Sequence, residues 1–142
     1  MTLNASSVRQ VVSSSVLPTP RFLYTPVLRA GGFVFISGMV AINPDTNTFD
    51  GGSPPRQARQ ILSNLKRLLD EQGWSKQHVV LARIFCTDFA AFPQINEVWD
   101  EFFAHEIPPA RTSVGVNALP LGASVEIEFQ LLEDCPQPGV SV

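Results

Sequence analysis

The chain has 142 residues, enough for one domain with a sizeable core. Only 16% of its residues are charged and the formal net charge is −3, so nothing in the charge balance favours nucleic acid as a partner. Two cysteines and two histidines, scattered along the chain, form neither a disulfide framework nor a metal-ligand spacing, and no apolar run reaches the roughly 18 residues of a membrane span.

In chain order, Val11-Val12 centre a short first strand, broken by Leu17-Pro18-Thr19-Pro20. Tyr24 to Ala30 and Phe33 to Val40 read as two strands, joined by Gly31-Gly32 as a two-residue hairpin turn. Asn43-Pro44-Asp45-Thr46-Asn47 is turn chemistry. Ser53-Pro54 opens a helix whose apolar stripe is Ala58, Ile61, Leu62, Leu65, Leu68 and Leu69, with Gly73 as its stop. Val79 to Thr87 follows as a strand in which Cys86 sits mid-strand as a small buried hydrophobe. A second helix starts near Pro93 and turns Ile95, Val98, Trp99, Phe102 and Phe103 inward.

Two alternating strands close the order. Ala110, Thr112, Val114 and Val116 share one face of the first, and Arg111, Ser113 and Gly115 the other. In the second, Val125, Ile127, Phe129 and Leu131 oppose Glu126, Glu128 and Gln130. A tail rich in Pro and Gly runs on from Cys135. The order βββαβαββ argues an α+β fold.

The chemistry-bearing inventory is short. There is no Gly-x-Ser-x-Gly elbow, no phosphate loop, and no dinucleotide fingerprint, since Gly31-Gly32 and Gly51-Gly52 are turns. What remains is a cation, a carboxylate and several hydroxyls. Arg111 starts a strand entered through Pro108-Pro109, and its planar fork suits a bidentate grip on a carboxylate. The same residue types serve equally as an ion pair at Arg111, solvated strand glutamates at 126 and 128, a helix-start Asn96, an edge-strand Tyr24 and a structural Ser37. If the last two strands paired as a hairpin about the 117–124 loop, Gly115 would face Glu126 and Arg111 would lie about 13 Å further along. Shared work on one small substrate then needs another strand between them, or contributions from different subunits.

Pro109-Ala110-Arg111-Thr112-Ser113, the Leu119-Pro120 turn and Val125-Glu126-Ile127-Glu128 resemble the C-terminal signature of the Rid family (reactive intermediate/imine deaminases, also called YjgF-like). Phe35-Ile36-Ser37-Gly38, Gln57 to Leu65, and Asp88-Phe89 with Phe92, Asn96 and Phe102-Phe103 agree in order and spacing, so the likeness runs from about Arg9 to Leu132. It implies a mixed β-sheet with two helices packed on one face (a chorismate-mutase-like or YjgF-like fold) as a single domain over 1–142. Residues 1–8 are then an N-terminal extension and 133–142 a tail. It implies a homotrimer with sites at subunit clefts, which suits the low charge content, and a family fold that separates the last two strands in the sheet.

It further implies cofactor-independent hydrolysis of 2-imino acids or enamines to 2-oxo acids and ammonia. Variants are a deaminase dedicated to an aminoacrylate or aminomuconate-type intermediate, or a non-catalytic trimer that binds small carboxylates or acts as a chaperone-like partner. By the resemblance Arg111 clamps the substrate carboxylate, Glu126 orients or deprotonates the attacking water, and Tyr24 closes the pocket from a neighbouring subunit. Ser37 and Asn96 align with polar pocket residues, and Ser113 stands where many members carry Cys. Met39 replaces a frequent Gln and makes its stretch more apolar; Phe22, Leu23 and Tyr24 add bulk at the mouth. The expected setting is cytoplasmic, with neither metal nor cofactor, neither nucleic acid nor membrane, and a small imino or oxo acid as the partner. The acid-free, serine-containing stretch before Asp45 has the composition of a weak organelle-targeting peptide, but Arg9 to Ser15 aligns with the family's first strand.

Overall fold

A computed structural model describes residues 8–133. The elements are β1 (Gln10–Val11), β2 (Val27–Ala30), β3 (Phe33–Met39), β4 (Ile42–Asn43), β5 (Thr48–Phe49), α1 (Pro54–Gln72), β6 (Val79–Cys86), α2 (Phe92–Phe102), β7 (Ala110–Gly115) and β8 (Val125–Leu132). Six strands form one sheet in the order β1-β2-β3-β8-β6-β7, antiparallel throughout except for the parallel β6–β7 pair, so the sheet is mixed.

Both helices lie on the face to which alternate strand residues turn inward: Val27, Val34, Ile36, Ala82, Ile84, Val125, Ile127, Phe129 and Leu131. The expected stripe of α1 is buried at all six positions, and Phe92, Ile95, Val98 and Trp99 meet it from α2. Each of the larger of these side chains contributes about 1.5–3 kcal/mol by leaving water.

Local chemistry sets the element ends. Gly31 and Gly32 both take positive φ, 58° and 84°, and Ala30 pairs with Phe33 across them, as a primed two-residue turn requires. Ser53 Oγ accepts from Arg56 N at 3.4 Å with two prolines behind it, and Gly73 ends α1 at φ 76°. Thr25-Pro26 shortens the second strand: β2 begins at Val27, so Tyr24 lies in the irregular segment before it rather than in a strand. The first strand shrinks to two residues, and the 43–47 turn is clasped by the short β4–β5 hairpin. Cys86 is buried as expected but ends β6, and its thiol lies against the Asp88 carbonyl at 3.1 Å. The proposed extension and tail fall outside the described residues apart from Val8 and Glu133. Glu133 is no loose tail residue: its carboxylate accepts from Arg29 Nε and Nη2 at 2.6 and 2.7 Å.

Gln57 is the polar residue that fastens α1 to the sheet. It is buried, donates to the Gly52 carbonyl at 2.9 Å, and accepts from the Ser124 and Val125 amides at 2.9 and 3.3 Å, where β8 begins. Gln57→Leu fills a similar volume but strips these groups of their partner. It should lower stability by about 2–4 kcal/mol, since each buried group left unpaired costs about 1–3 kcal/mol. Urea denaturation at fixed protein concentration checks this, and a loss below about 0.5 kcal/mol, the level of an ordinary surface change, contradicts it.

The opposite sheet face carries no helix. On it lie Val11, Leu28, Phe33, Phe35, Leu81, Phe85, Val114 and Leu132, together with Glu126, Glu128, Gln130 and Arg83. Val11, Phe33, Phe35 and Val114 are all exposed there in the single chain.

Candidate active site

Arg111 lies on the edge strand β7, directly beside buried Ala82 of β6, so its side chain leaves the sheet on the helix side. There α2 receives it. Its Nη2 donates to Asn96 Oδ1 at 2.8 Å, and its guanidinium carbon lies 5.2 Å from the centre of the Trp99 ring. Trp99 is itself buried and packed on Phe103, with ring centres 4.6 Å apart. Asn96 and Trp99 are one turn apart, so a single helix face both bonds and backs the guanidinium. Among the described residues no other hydrogen bond occupies the fork. Ser113, two residues on, turns to the same side; its Oγ is buried and has no hydrogen-bond partner among the described residues.

Glu126 occupies the other face. It pairs across the sheet with Phe85, on the helix-free side, and is half-buried. A bulge seats it: β3 and β8 pair Ile36 with Phe129 and Met39 with Ile127, so Ser37 and Gly38 together oppose Glu128. A Cβ on Gly38 would stand 2.5 Å from the Glu126 Oε1, so the absence of a side chain there makes the space for this carboxyl. Burial, with a smaller push from Glu128, raises the Glu126 carboxyl above the ordinary carboxylate range. The nearest cation of the face, Arg83, is already paired with Glu128 at 3.1 Å.

The bulge also sets where Met39 goes. Simple alternation would put it on the face of Ser37, but the extra residue turns it into the core, where it is buried. Ser37 donates its hydroxyl to the Thr25 carbonyl at 2.7 Å, and its amide bonds the Pro26 carbonyl at 2.9 Å. It thus pins the segment that carries Tyr24 beside Gly38 and Glu126; Tyr24 itself is exposed.

Arg111 and Glu126 do not meet within one chain. The last two strands are not a hairpin; β6 lies between them, with Phe85 opposite both Glu126 and Val114. Arg111 is three residues from Val114 and two strands from Glu126, about 14 Å between Cα positions, and the two side chains leave opposite faces. The fold thus gathers Arg111, Asn96, Trp99 and Ser113 as one candidate half-site, and Glu126, Gly38 and the Ser37-anchored Tyr24 segment as a second. The contributions of Trp99 and Gly38 are absent from the sequence reading. Trp99 was legible only as core, although its position three residues after Asn96 places the two on one helix face.

Among the described residues no three His, Cys, Asp or Glu side chains group to hold a metal ion, and no helix is long and apolar enough to cross a membrane.

The sequence and the fold match a known class. The family model described as Endoribonuclease L-PSP matches residues 15–131. A RutC family protein of Aquifex aeolicus is 38% identical over 113 residues, covering 79% of this chain and 90% of that protein. A 2-iminobutanoate/2-iminopropanoate deaminase of Dermatophagoides farinae is 36% identical over 122 residues, covering 86% of this chain and 94% of that protein. Among solved structures, the Rid family protein YyfA of Yersinia pestis superposes with a TM-score of 0.82 at 33% identity, over 87% of this chain and 98% of its own. The chain belongs to the Rid family, whose members include imine deaminases.

Proposed function

We propose that the protein is a homotrimer that hydrolyses 2-imino acids or their enamine tautomers to 2-oxo acids and ammonia. The observation that carries this reading is the division of the site. A guanidinium held by Asn96 and a half-buried carboxyl stand on opposite faces of one sheet. They serve one small substrate only when different copies of the chain supply them. The helix-free face, with its exposed Val11, Phe33, Phe35 and Val114, is the apolar surface that such copies would bury. The deaminase name of the Dermatophagoides relative supports the reaction class.

In this reading Arg111 holds the substrate carboxylate through two parallel N–H···O bonds, with Asn96 and Trp99 fixing the fork. Glu126 takes a proton from water as the water oxygen bonds to the imine carbon. The proton passes to nitrogen to give a carbinolamine; Glu126 then relays the carbinolamine's hydroxyl proton to the amino group, the C–N bond breaks, ammonia leaves, and the oxygen stays on carbon as the carbonyl of the 2-oxo acid. Tyr24 closes the pocket. Ser113, with its unpartnered hydroxyl beside Arg111, offers a further bond to the substrate. None of these steps routes through a cofactor or metal, and the setting proposed is the cytoplasm. A nucleolytic role, as the family description would have it, finds no support in the charge: the net charge is −3, and Glu126 and Glu128 lie side by side on the same face.

The test generates 2-imino acids in the cuvette with an amino-acid oxidase and compares their loss with spontaneous decay, with light scattering on the same sample. Accelerated loss by a trimer that resists chelation and carbonyl reagents is the expected result. A trimer that binds 2-oxo acids without accelerating decay would move the assignment to a small-carboxylate-binding protein. Acceleration confined to an aminoacrylate or aminomuconate-type imine would make it a pathway-dedicated deaminase. A stable monomer at micromolar concentration would remove the shared site altogether.

A further inference from the structure

Phe89, in the turn between β6 and α2, is 61% exposed, yet its place is fixed. Asp88 Oδ1 accepts from the Ala90 amide at 3.2 Å, and the Asp88 carbonyl accepts from the Ala91 amide at 3.0 Å and from the Cys86 thiol at 3.1 Å. The Phe89 ring centre lies 4.9 Å from that of buried Phe92. Its other contact is with β7. A Cβ on Gly115 would stand 3.4 Å from Phe89 Cδ2 and 3.7 Å from Phe89 Cβ, so the side chain rests on the bare backbone of that strand. Gly115 pairs with buried Cys86 as Arg111 pairs with buried Ala82. Phe89 therefore lies on the helix side of β7, with Arg111 and Ser113, and not on the helix-free face.

Two contacts thus mark the two ends of one trough between β7 and α2. At one end Arg111 bonds Asn96, and at the other Phe89 covers Gly115. On the strand the order is Arg111, Ser113, Gly115, about 13 Å from first to last. On the helix side the order is Asn96, then Phe92 one turn before it, then Phe89 against Phe92. Midway lies Ser113, whose buried Oγ has no partner among the described residues. The trough is cationic at one end, offers one unused hydroxyl in the middle, and is aromatic at the other end.

We infer that Phe89, with the space that Gly115 leaves beside it, is a specificity-determining residue that selects 2-imino acids with an aromatic side chain over small ones. This rests on the imine-hydrolase reading, with Glu126 supplied by another copy. A substrate whose carboxylate sits on the Arg111 fork, and whose polar centre lies beside Ser113, sends a methyl group no further than mid-trough. A benzyl group spans the remaining distance and meets the Phe89 ring edge-on or offset, as aromatic pairs prefer. The occupant of this exposed ring is the substrate rather than a neighbouring subunit, because the ring continues the strand face of Arg111 and Ser113 and stands off the apolar sheet face that copies would bury.

The experiment compares kcat/KM for phenylalanine-derived and alanine-derived imines in the wild-type protein, in Phe89→Ser, and in Gly115→Val, whose branches fill the space beside the ring. In parallel, calorimetry measures binding of phenylpyruvate and pyruvate. The wild type should favour the aromatic member of each pair by about tenfold or more, the lower end of what a single methylene contributes in an apolar pocket. Both variants should lower the two ratios by roughly tenfold. Equal ratios in the wild type, or ratios that Phe89→Ser leaves unchanged, overturn the proposal. So does loss of the trimer by light scattering in Phe89→Ser, which would make Phe89 an interface residue. A binding preference that Phe89→Ser abolishes, without any imine hydrolysis by the wild type, would sink the hydrolase reading and leave the selectivity standing; binding of neither oxo acid would sink both.

Discussion

Arg111→Ala should lower imine hydrolysis by roughly 10²–10⁴-fold in kcat/KM, because it removes two charge-assisted bonds of about 1.5–3 kcal/mol each. The loss should appear chiefly as failure to hold the substrate, so 2-oxo acids should cease to bind as well. Folding should be spared: Arg111 is exposed on an edge strand, and its one side-chain hydrogen bond among the described residues goes to the half-buried Asn96, whose amide water can satisfy in its place. Arg111→Lys is the sharper variant. It keeps the charge, yet an ammonium cannot match a carboxylate with two parallel donors while also lying flat on Trp99 and bonding Asn96. It should stay severely impaired, near the alanine variant rather than near the wild type. Near-normal hydrolysis by Arg111→Ala, with the trimer intact by light scattering, would refute the clamp and favour the binding-protein reading.

The parts of this fold that were legible in the sequence are those where one local rule acts alone. The α1 stripe from Ala58 to Leu69, its Ser53 and Gly73 ends, and the Gly31-Gly32 turn each follow from a few adjacent residues. The split of β7 into an Arg111-Ser113-Gly115 face and its opposite follows from alternation and is reproduced by the register with Ala82, Ile84 and Cys86. What alternation could not supply is which strand lies beside which. The insertion of β6 between β7 and β8 is a non-local pairing, and it alone decides that Arg111 and Glu126 face apart. Nor does alternation survive a bulge. The extra residue at Ser37-Gly38 reverses Met39 into the core and in the same step opens the seat for Glu126. The β4–β5 hairpin was invisible because two residues per strand give no period to read. The candidate site shows the same limit: its residues were legible one by one through the family resemblance, but their separation into two half-sites needed the sheet.

Glu126→Gln keeps the size and the seat against Gly38 but removes the base. It should lower kcat by roughly 10²–10⁴-fold, the usual contribution of a positioned general base. Binding of 2-oxo acids should change little, since Arg111 is untouched. The pH dependence gives an independent check. Burial raises the Glu126 carboxyl, so the ionised form that accepts a proton is reached only above the ordinary carboxylate range. Activity in the wild type should therefore rise with pH through a limb displaced upward from that of a solvated glutamate, and Glu126→Gln should lack the limb. Stability should move in the opposite sense. Because the folded state holds this proton more tightly than the unfolded chain, stability is greater below the unfolded value and declines as pH rises through the folded one. Above that folded value the wild type carries an ionised carboxylate in a half-buried seat beside Glu128, an arrangement that the neutral glutamine relieves. Glu126→Gln should therefore be slightly more stable than the wild type while being far less active. A residue kept for packing would show the reverse, with stability lost and activity largely kept, and that outcome in denaturation and rate measurements on the same preparation would remove Glu126 from the chemistry.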